Sequence, residues 1–235
     1  MGELVARSVT LGYGERVVAR DLDVEVPAGR ITSIVGPNGC GKSTLLRGFS
    51  RLLAPSSGEI LLDGDDVATL PARELARRLG LLPQSPITPE AMTVAELVGL
   101  GRHPHRAMLG GWSRTDQDAV DEALAMTRTA ELAGRRVDQL SGGQRQRVWI
   151  ATVLAQRTAT LLLDEPISFL DIARAVEVLD LVVDLNAQRG TTVVMVLHDL
   201  NLAARYSDRL IAMRDGAIVA AGAPSEVVTE DLGKR

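Results

Sequence analysis

One cysteine, Cys40, stands in 235 residues. An internal disulfide is therefore excluded, and with it the small, disulfide-stapled class of secreted domains. No apolar run approaches the roughly 20 residues that cross a bilayer as a helix; "TTVVMVLH", among the longest, suits a buried strand. The opening residues, "MGELVARSVTLGYGER", hold no hydrophobic segment of a secretory signal. Neither charge sign dominates: 26 Lys and Arg against 30 Asp and Glu leave a formal −4. There is no basic excess for nucleic acid and no acidic tail of the disordered kind. Repeats and low-complexity linkers are also missing. A reducing, cytoplasmic location is expected, and a membrane process would need another chain to supply the membrane part.

What is present suits an α/β domain. The length fits one or two domains, and 46% hydrophobic residues suffice for a core. The first thirty residues read as strands with a turn at Pro27, Ala28 and Gly29. "RITSIVG" reads as a buried strand entering a glycine loop. "KSTLLRGFSRLL" follows with Leu45, Leu46, Phe49, Leu52 and Leu53 at helical spacing. "EILLDGDDV" suits a strand–turn unit around its Asp-Gly pair. From about Pro86 to Arg157 the pattern turns helical, broken by loops such as "GRHPHRAMLGGWSR". "DQDAVDEALAMTRTAEL" is amphipathic, with Val120, Ala123, Leu124 and Thr127 on one face. Strands return in "TATLLLDEP" and "TTVVMVLHD", fully apolar as in parallel sheets covered on both faces. Between them "ARAVEVLDLVVDLNAQRG" is a helix with Val176, Leu179, Val182 and Val183 inward and Gly190 as its stop. "DRLIAMRDGAIVAAG" is a hairpin turning at Asp215 and Gly216.

Residues 36–44, "GPNGCGKST", match the phosphate-loop pattern between a strand and a helix. Glycines there let successive N–H groups converge on phosphate oxygens, and the helix start adds partial positive charge. Gly36, Pro37, Asn38, Gly39, Cys40 and Gly41 form the cradle. Lys42 reaches the β- and γ-phosphates, Ser43 offers its hydroxyl to Mg²⁺, and Thr44 adds a donor. A ligand-free glycine turn is the bland alternative. Cys40 reads simply as a small tolerated residue, whose alkylation ATP should hinder.

Asp164 and Glu165 end a buried strand, where α/β sheets bind ligands. Asp164 suits the Mg²⁺ shell; Glu165 suits orienting or deprotonating the attacking water. A helix cap and solvated surface is the alternative for the pair alone, a small one beside the phosphate loop. His198 closes the second buried strand, as a γ-phosphate sensor or a structural histidine. Tyr13 could stack on adenine or simply pack. Gln84, in "LLPQSP", says little alone, and His103 and His105 are too isolated for a metal site. "LSGGQRQR" presents a second anion-binding start, a glycine pair ahead of a helix.

Taken together, these residues resemble the ATP-binding cassette (ABC) family over nearly the whole chain. "LSGGQ" before "LLLDEP" is its signature. The resemblance implies a P-loop NTPase core with an antiparallel β subdomain (residues 1–85 and 158–235) and an inserted α-helical subdomain (86–157). It implies ATP with Mg²⁺, an adenine-stacking Tyr13, a Q-loop at Gln84 that also serves Mg²⁺, a D-loop at residues 168–171 and a switch histidine at His198. Ile167 departs from the expected Thr or Ser. Lys42, Glu165 and His198 are implied as catalytic. Two copies are expected to pair head to tail, with Ser141, Gly142, Gly143 and Gln144 of one closing on the triphosphate held by Lys42 of the other.

The stretches "GRHPHRAMLGGWSRTDQDAV" and "LHDLNLAARYSDRLIAMRDGAIVAAGAPSEVV" look like importer ATPases for iron–siderophores, haem and cobalamin. This implies a peripheral subunit on the cytoplasmic face of the membrane. Transmembrane permease subunits dock in the groove near Gln84, a periplasmic or lipid-anchored substrate-binding protein acts indirectly, and no nucleic acid is involved. The chain ends after "EDLGKR", sooner than the family's usual tail. A soluble cassette protein, such as one of iron–sulfur assembly, is the alternative, and a non-hydrolysing nucleotide sensor is a third reading.

Overall fold

The computed structural model describes residues 2–87, 91–106, 111–168 and 170–228. Phe169 of the D-loop, residues 107–110 of the broken loop and the terminal residues 229–235 lie outside that description.

The chain opens with a hairpin, β1 (Leu4–Tyr13) and β2 (Arg16–Val26), then enters β3 (Ile31–Val35) and α1 (Lys42–Phe49). β4 (Ser57–Leu62) and β5 (Asp65–Asp66) turn at Asp63 and Gly64 as expected, and α2 (Ala72–Arg78) leads into β6 (Leu79–Leu82). Three helices follow: α3 (Val94–Leu100), α4 (Arg114–Met126) and α5 (Gly142–Ala155). No strand lies between β6 and the next one among the described residues. β7 (Thr160–Asp164), α6 (Ile172–Arg189), β8 (Thr192–Val196) and α7 (Leu200–Tyr206) return to alternation. The β9 (Arg209–Arg214) and β10 (Ala217–Gly222) hairpin and the short α8 (Pro224–Val227) close the described chain.

Two sheets result. An antiparallel one runs β2-β1-β4-β5; a second runs β10-β9-β3-β8-β7-β6, parallel except for the antiparallel edge strand β10. The apolar runs explain the second sheet. Every residue of β3, β7 and β8 is buried. Successive side chains of a strand point to opposite faces. Leu161, Leu163, Val193 and Met195 accordingly join one core with α3 to α6, while Leu162, Val194 and Val196 join another with α1 and the antiparallel sheet. The register sets Asp164 opposite Val196, so the acids at the end of β7 and His198 just after β8 emerge at the same end of the parallel strands.

Two helix readings need correction. α1 ends at Phe49, and Leu52 is 67% exposed rather than part of the apolar stripe. In α6 the inward stripe is Ala175, Val178, Leu179, Val182 and Leu185; Val176 is half-buried and Val183 faces solvent. Valines occupy several faces of this helix, so composition could not set its phase; packing on the sheet does. Gly190 ends α6 as expected, in the left-handed region at φ 62°.

A buried ion pair fixes the helical layer. Arg102, after α3, donates Nε–H to Asp116 Oδ1 at 3.0 Å and Nη1–H to the Ala155 carbonyl at 2.8 Å. Both side chains are under one-tenth exposed. Asp116 also closes the capping box of α4 with Ser113. The hydrogen bond from Ser113, backed by Arg102, outweighs burial and holds the Asp116 carboxyl at about 2. Removing one partner strands the other charge, so Asp116→Ala should destabilise the fold by about 3 kcal/mol in denaturant titration at pH 7. The folded value is depressed, so the carboxylate's contribution is present above the ordinary pKa near 3.8 and is lost as pH falls toward 2. The gap between parent and Asp116→Asn should therefore narrow over that window.

Candidate functional site

The loop joining β3 to α1 owes its shape to glycine. Gly36 has φ 145°, and a Cβ there would sit 2.1 Å from the Met213 carbonyl oxygen. Gly41 precedes α1 at φ 109° and offers no side-chain cap, so the first N–H groups of the helix remain available to an anion. Lys42 is buried and folded back, its Nζ donating to the carbonyls of Gly36 at 2.7 Å and Pro37 at 2.8 Å.

Asn38, Gly39, Gly41, Lys42, Ser43, Thr44, Gln84, Glu165 and His198 line one cavity of about 350 Å³, together with Val18. Residues more than 150 positions apart in sequence thus meet around one space. Ser43 Oγ donates to Asp164 Oδ1 at 2.8 Å, which links the loop to the end of β7. Burial pushes the Asp164 carboxyl up, and the charge of Glu165 adds to this; the Ser43 hydrogen bond and the Arg47 and Lys42 charges oppose it.

Glu165 takes the left-handed backbone conformation, φ 53°. His198 Nε2 lies 2.6 Å from Glu165 Oε1, and Ser168 Oγ donates to Oε2 at 2.7 Å. Burial alone would raise this carboxyl's pKa, but hydrogen bonds from Ser168, His198 and Gln84 outweigh it and hold the group below the ordinary carboxylate range. Glu165 is therefore a charged acceptor at neutral pH.

The remaining expected residues fall elsewhere. Gly36 and Pro37 line a neighbouring apolar cavity with His198. Cys40 is buried, with Sγ 3.0 Å from where a Cβ on Gly36 would be, so its thiol lies under the loop rather than in the cavity. Alkylation should therefore be slow without ATP, and the protection expected from sequence has little to act on. Tyr13 is 44% exposed at the end of β1. Its hydroxyl accepts from Arg47 Nη1 at 2.8 Å, and the same guanidinium lies 6.0 Å from the ring centroid.

Ser141, Gly143 and Gln144 do not join the phosphate loop at all. They line a separate cavity of about 310 Å³ with Arg147, Leu170, Asp171 and Arg174. Ser141 caps α5: its Oγ accepts from the Gln144 N–H at 3.3 Å, and Gln144 Oε1 accepts from the Ser141 N–H at 3.1 Å. Gly142 is the first residue of α5.

Val18, Arg47 and Gln146 went unnoticed in the sequence. Val18 sits in an ordinary strand and Arg47 in an ordinary helix turn, so neither carries a local signal. Gln146, two residues beyond the signature glutamine, reaches the backbone beside Glu165.

A glycine loop between a parallel strand and a helix, with acids at the end of β7 in the same sheet, defines a P-loop nucleotide-binding cassette. Its antiparallel sheet and helical layer are those of ABC ATPases. The model of the ABC transporter family matches residues 19–168, and the chain belongs to this family. It is 52% identical over 239 residues to the ferric enterobactin transport ATP-binding protein FepC of Escherichia coli (strain K12), covering all of this chain and 88% of that one. It is 49% identical to the probable siderophore transport system ATP-binding protein YusV of Bacillus subtilis (strain 168), covering 99% and 84%. Among solved structures, the dimeric MJ0796, a bacterial ABC transporter cassette, superposes with a TM-score of 0.84 at 31% identity over 94% of this chain and 98% of that one.

Proposed function

We propose that this protein is the ATP-hydrolysing subunit of an importer for iron(III)–siderophores or a related metal chelate. The observation that carries the ATPase reading is the single cavity in which Lys42, Ser43, Gln84, Glu165 and His198 meet. The importer reading is supported by relatives at about half identity named for ferric enterobactin and siderophore transport. The relatives named for transport favour the importer over a soluble cassette protein of iron–sulfur assembly, and the catalytic set argues against a mere sensor.

On this reading an arriving triphosphate takes the Lys42 ammonium from the Gly36 and Pro37 carbonyls. The loop N–H groups and Thr44 hold the phosphates, and Tyr13, steadied by Arg47, faces the base. Ser43 and Asp164 are hard oxygen donors already 2.8 Å apart, a pair suited to Mg²⁺ with Gln84 alongside; bound there, the ion supplies charge neutralisation. Glu165 orients a water and accepts its proton as oxygen attacks the γ-phosphorus, the bond to the β-phosphate oxygen breaks, and ADP and phosphate leave. His198 holds the Glu165 carboxylate and faces the γ-phosphate. Residues 1–85 and 158–235 form the core and 86–157 the helical subdomain, a division supported by the helices that follow β6 with no strand among the described residues before β7.

Ser141, Gly143 and Gln144 face a different cavity, so the site is completed by the α5 start of a second copy, Gly142 included. The dimeric relative supports this pairing. Permease subunits dock near Gln84, where Ile87 is 88% exposed, and a substrate-binding protein acts through them. No helix among the described residues is long and apolar enough to cross a membrane; the protein works as a peripheral subunit on the cytoplasmic face. Reconstitution with a siderophore permease tests the assignment. ATP turnover should rise when the ferric-siderophore-loaded binding protein is added, and a turnover indifferent to every such ligand would remove the importer role.

A further inference from the structure

α5 touches both functional regions of the chain. Its start lines the signature cavity, and its second turn carries Gln146, whose Nε2–H donates to the Pro166 carbonyl at 2.7 Å in a partly buried bond. Pro166 directly follows Glu165. Gln144 and Arg145 use their side chains on their own helix start, the first in the capping box and the second on the Leu140 carbonyl. Gln146 instead leaves the helix for the turn after β7.

That turn is narrowly held. Glu165 has its left-handed backbone, and the Ser168 N–H donates to the Glu165 carbonyl at 3.2 Å. Leu170 lies against Gly143, its Cδ2 3.7 Å from where a Cβ there would be. The residues after Glu165 thus meet α5 twice, at Gln146 and at Gly143.

We infer that Gln146 is a positioning residue that ties the α5 start, which closes on one triphosphate, to the turn that aims Glu165 at another. The inference rests on the two-copy reading above. A shift of α5 on capturing an anion moves the Pro166 carbonyl, one residue from the carboxylate. Without the donor that carbonyl loses its partner, and a small misplacement of a catalytic group costs rate steeply.

The test compares Gln146→Met, which keeps the shape and removes the donor, with Gln146→Lys, which restores one. In Gln146→Met, kcat should fall about tenfold with KM within about twofold, and the Hill coefficient for ATP should drop to about 1. Gln146→Lys should recover most of both. ATP-dependent dimerisation, read by light scattering in a Glu165→Gln background, should survive both substitutions. Unchanged turnover and cooperativity in Gln146→Met, or equal losses in the two variants, overturns the tether. If Glu165→Gln with native Gln146 fails to dimerise on ATP, the two-copy reading has failed and the tether falls with it.

Discussion

Glu165→Gln should cut steady-state ATP turnover by about 100-fold or more, as loss of a positioned base does, while leaving nucleotide affinity nearly intact. The carboxylate is held below the ordinary carboxylate range by Ser168, His198 and Gln84 against the effect of burial. It is thus an acceptor rather than a donor at neutral pH. The amide preserves size and one of the two acceptor oxygens but cannot take the proton from water. Lys42, Ser43 and the loop N–H groups remain, so triphosphate still binds and accumulates unhydrolysed. ATP should therefore hold the variant as a dimer on a sizing column, whereas the parent falls apart as it turns over. Turnover within a few-fold of the parent would take Glu165 out of the chemistry.

Ser141→Arg should abolish ATP-dependent dimerisation and with it hydrolysis, while the monomer keeps its affinity for ATP. The substitution removes the cap of α5, at a cost of about 1 kcal/mol, and directs a long cation into a cavity already lined by Arg147 and Arg174. The phosphate cavity is lined by other residues and is not disturbed. Light scattering with and without ATP, in the Glu165→Gln background, reads the first effect; fluorescent-nucleotide titration reads the second. Loss of nucleotide binding together with dimerisation would show that the two cavities are not independent halves.

Much of this was legible in the residues. Strand β3, the loop at 36–44 and helix α1 are written in local order, because a phosphate cradle is built by neighbouring backbone N–H groups and needs glycine at fixed offsets. The buried strands β7 and β8 announce themselves as unbroken apolar runs, and the Asp-Gly hairpins as turn chemistry. The start of α5 reads as a glycine pair ahead of a helix, because that pattern is settled within a few residues.

What escaped was whatever depends on contacts between distant segments. The phase of α6 is invisible when valines lie on several faces of one helix. Leu52 could have continued a stripe, but the chain leaves the helix at Phe49. Cys40 belongs to the loop by number, yet its thiol turns inward because Gly36 leaves room for sulfur.

The amino-acid sequence by itself determined the phosphate loop, the alternation of strand and helix, and the family, since each rests on short-range pattern. Only the tertiary structure decided that Glu165 is locked to His198 and Ser168, that the signature helix start opens on its own cavity, and that Gln146 reaches Pro166. A hydrogen bond of 2.7 Å is set by where two packed elements come to rest, and that position is a property of the whole core rather than of the residues that make the bond.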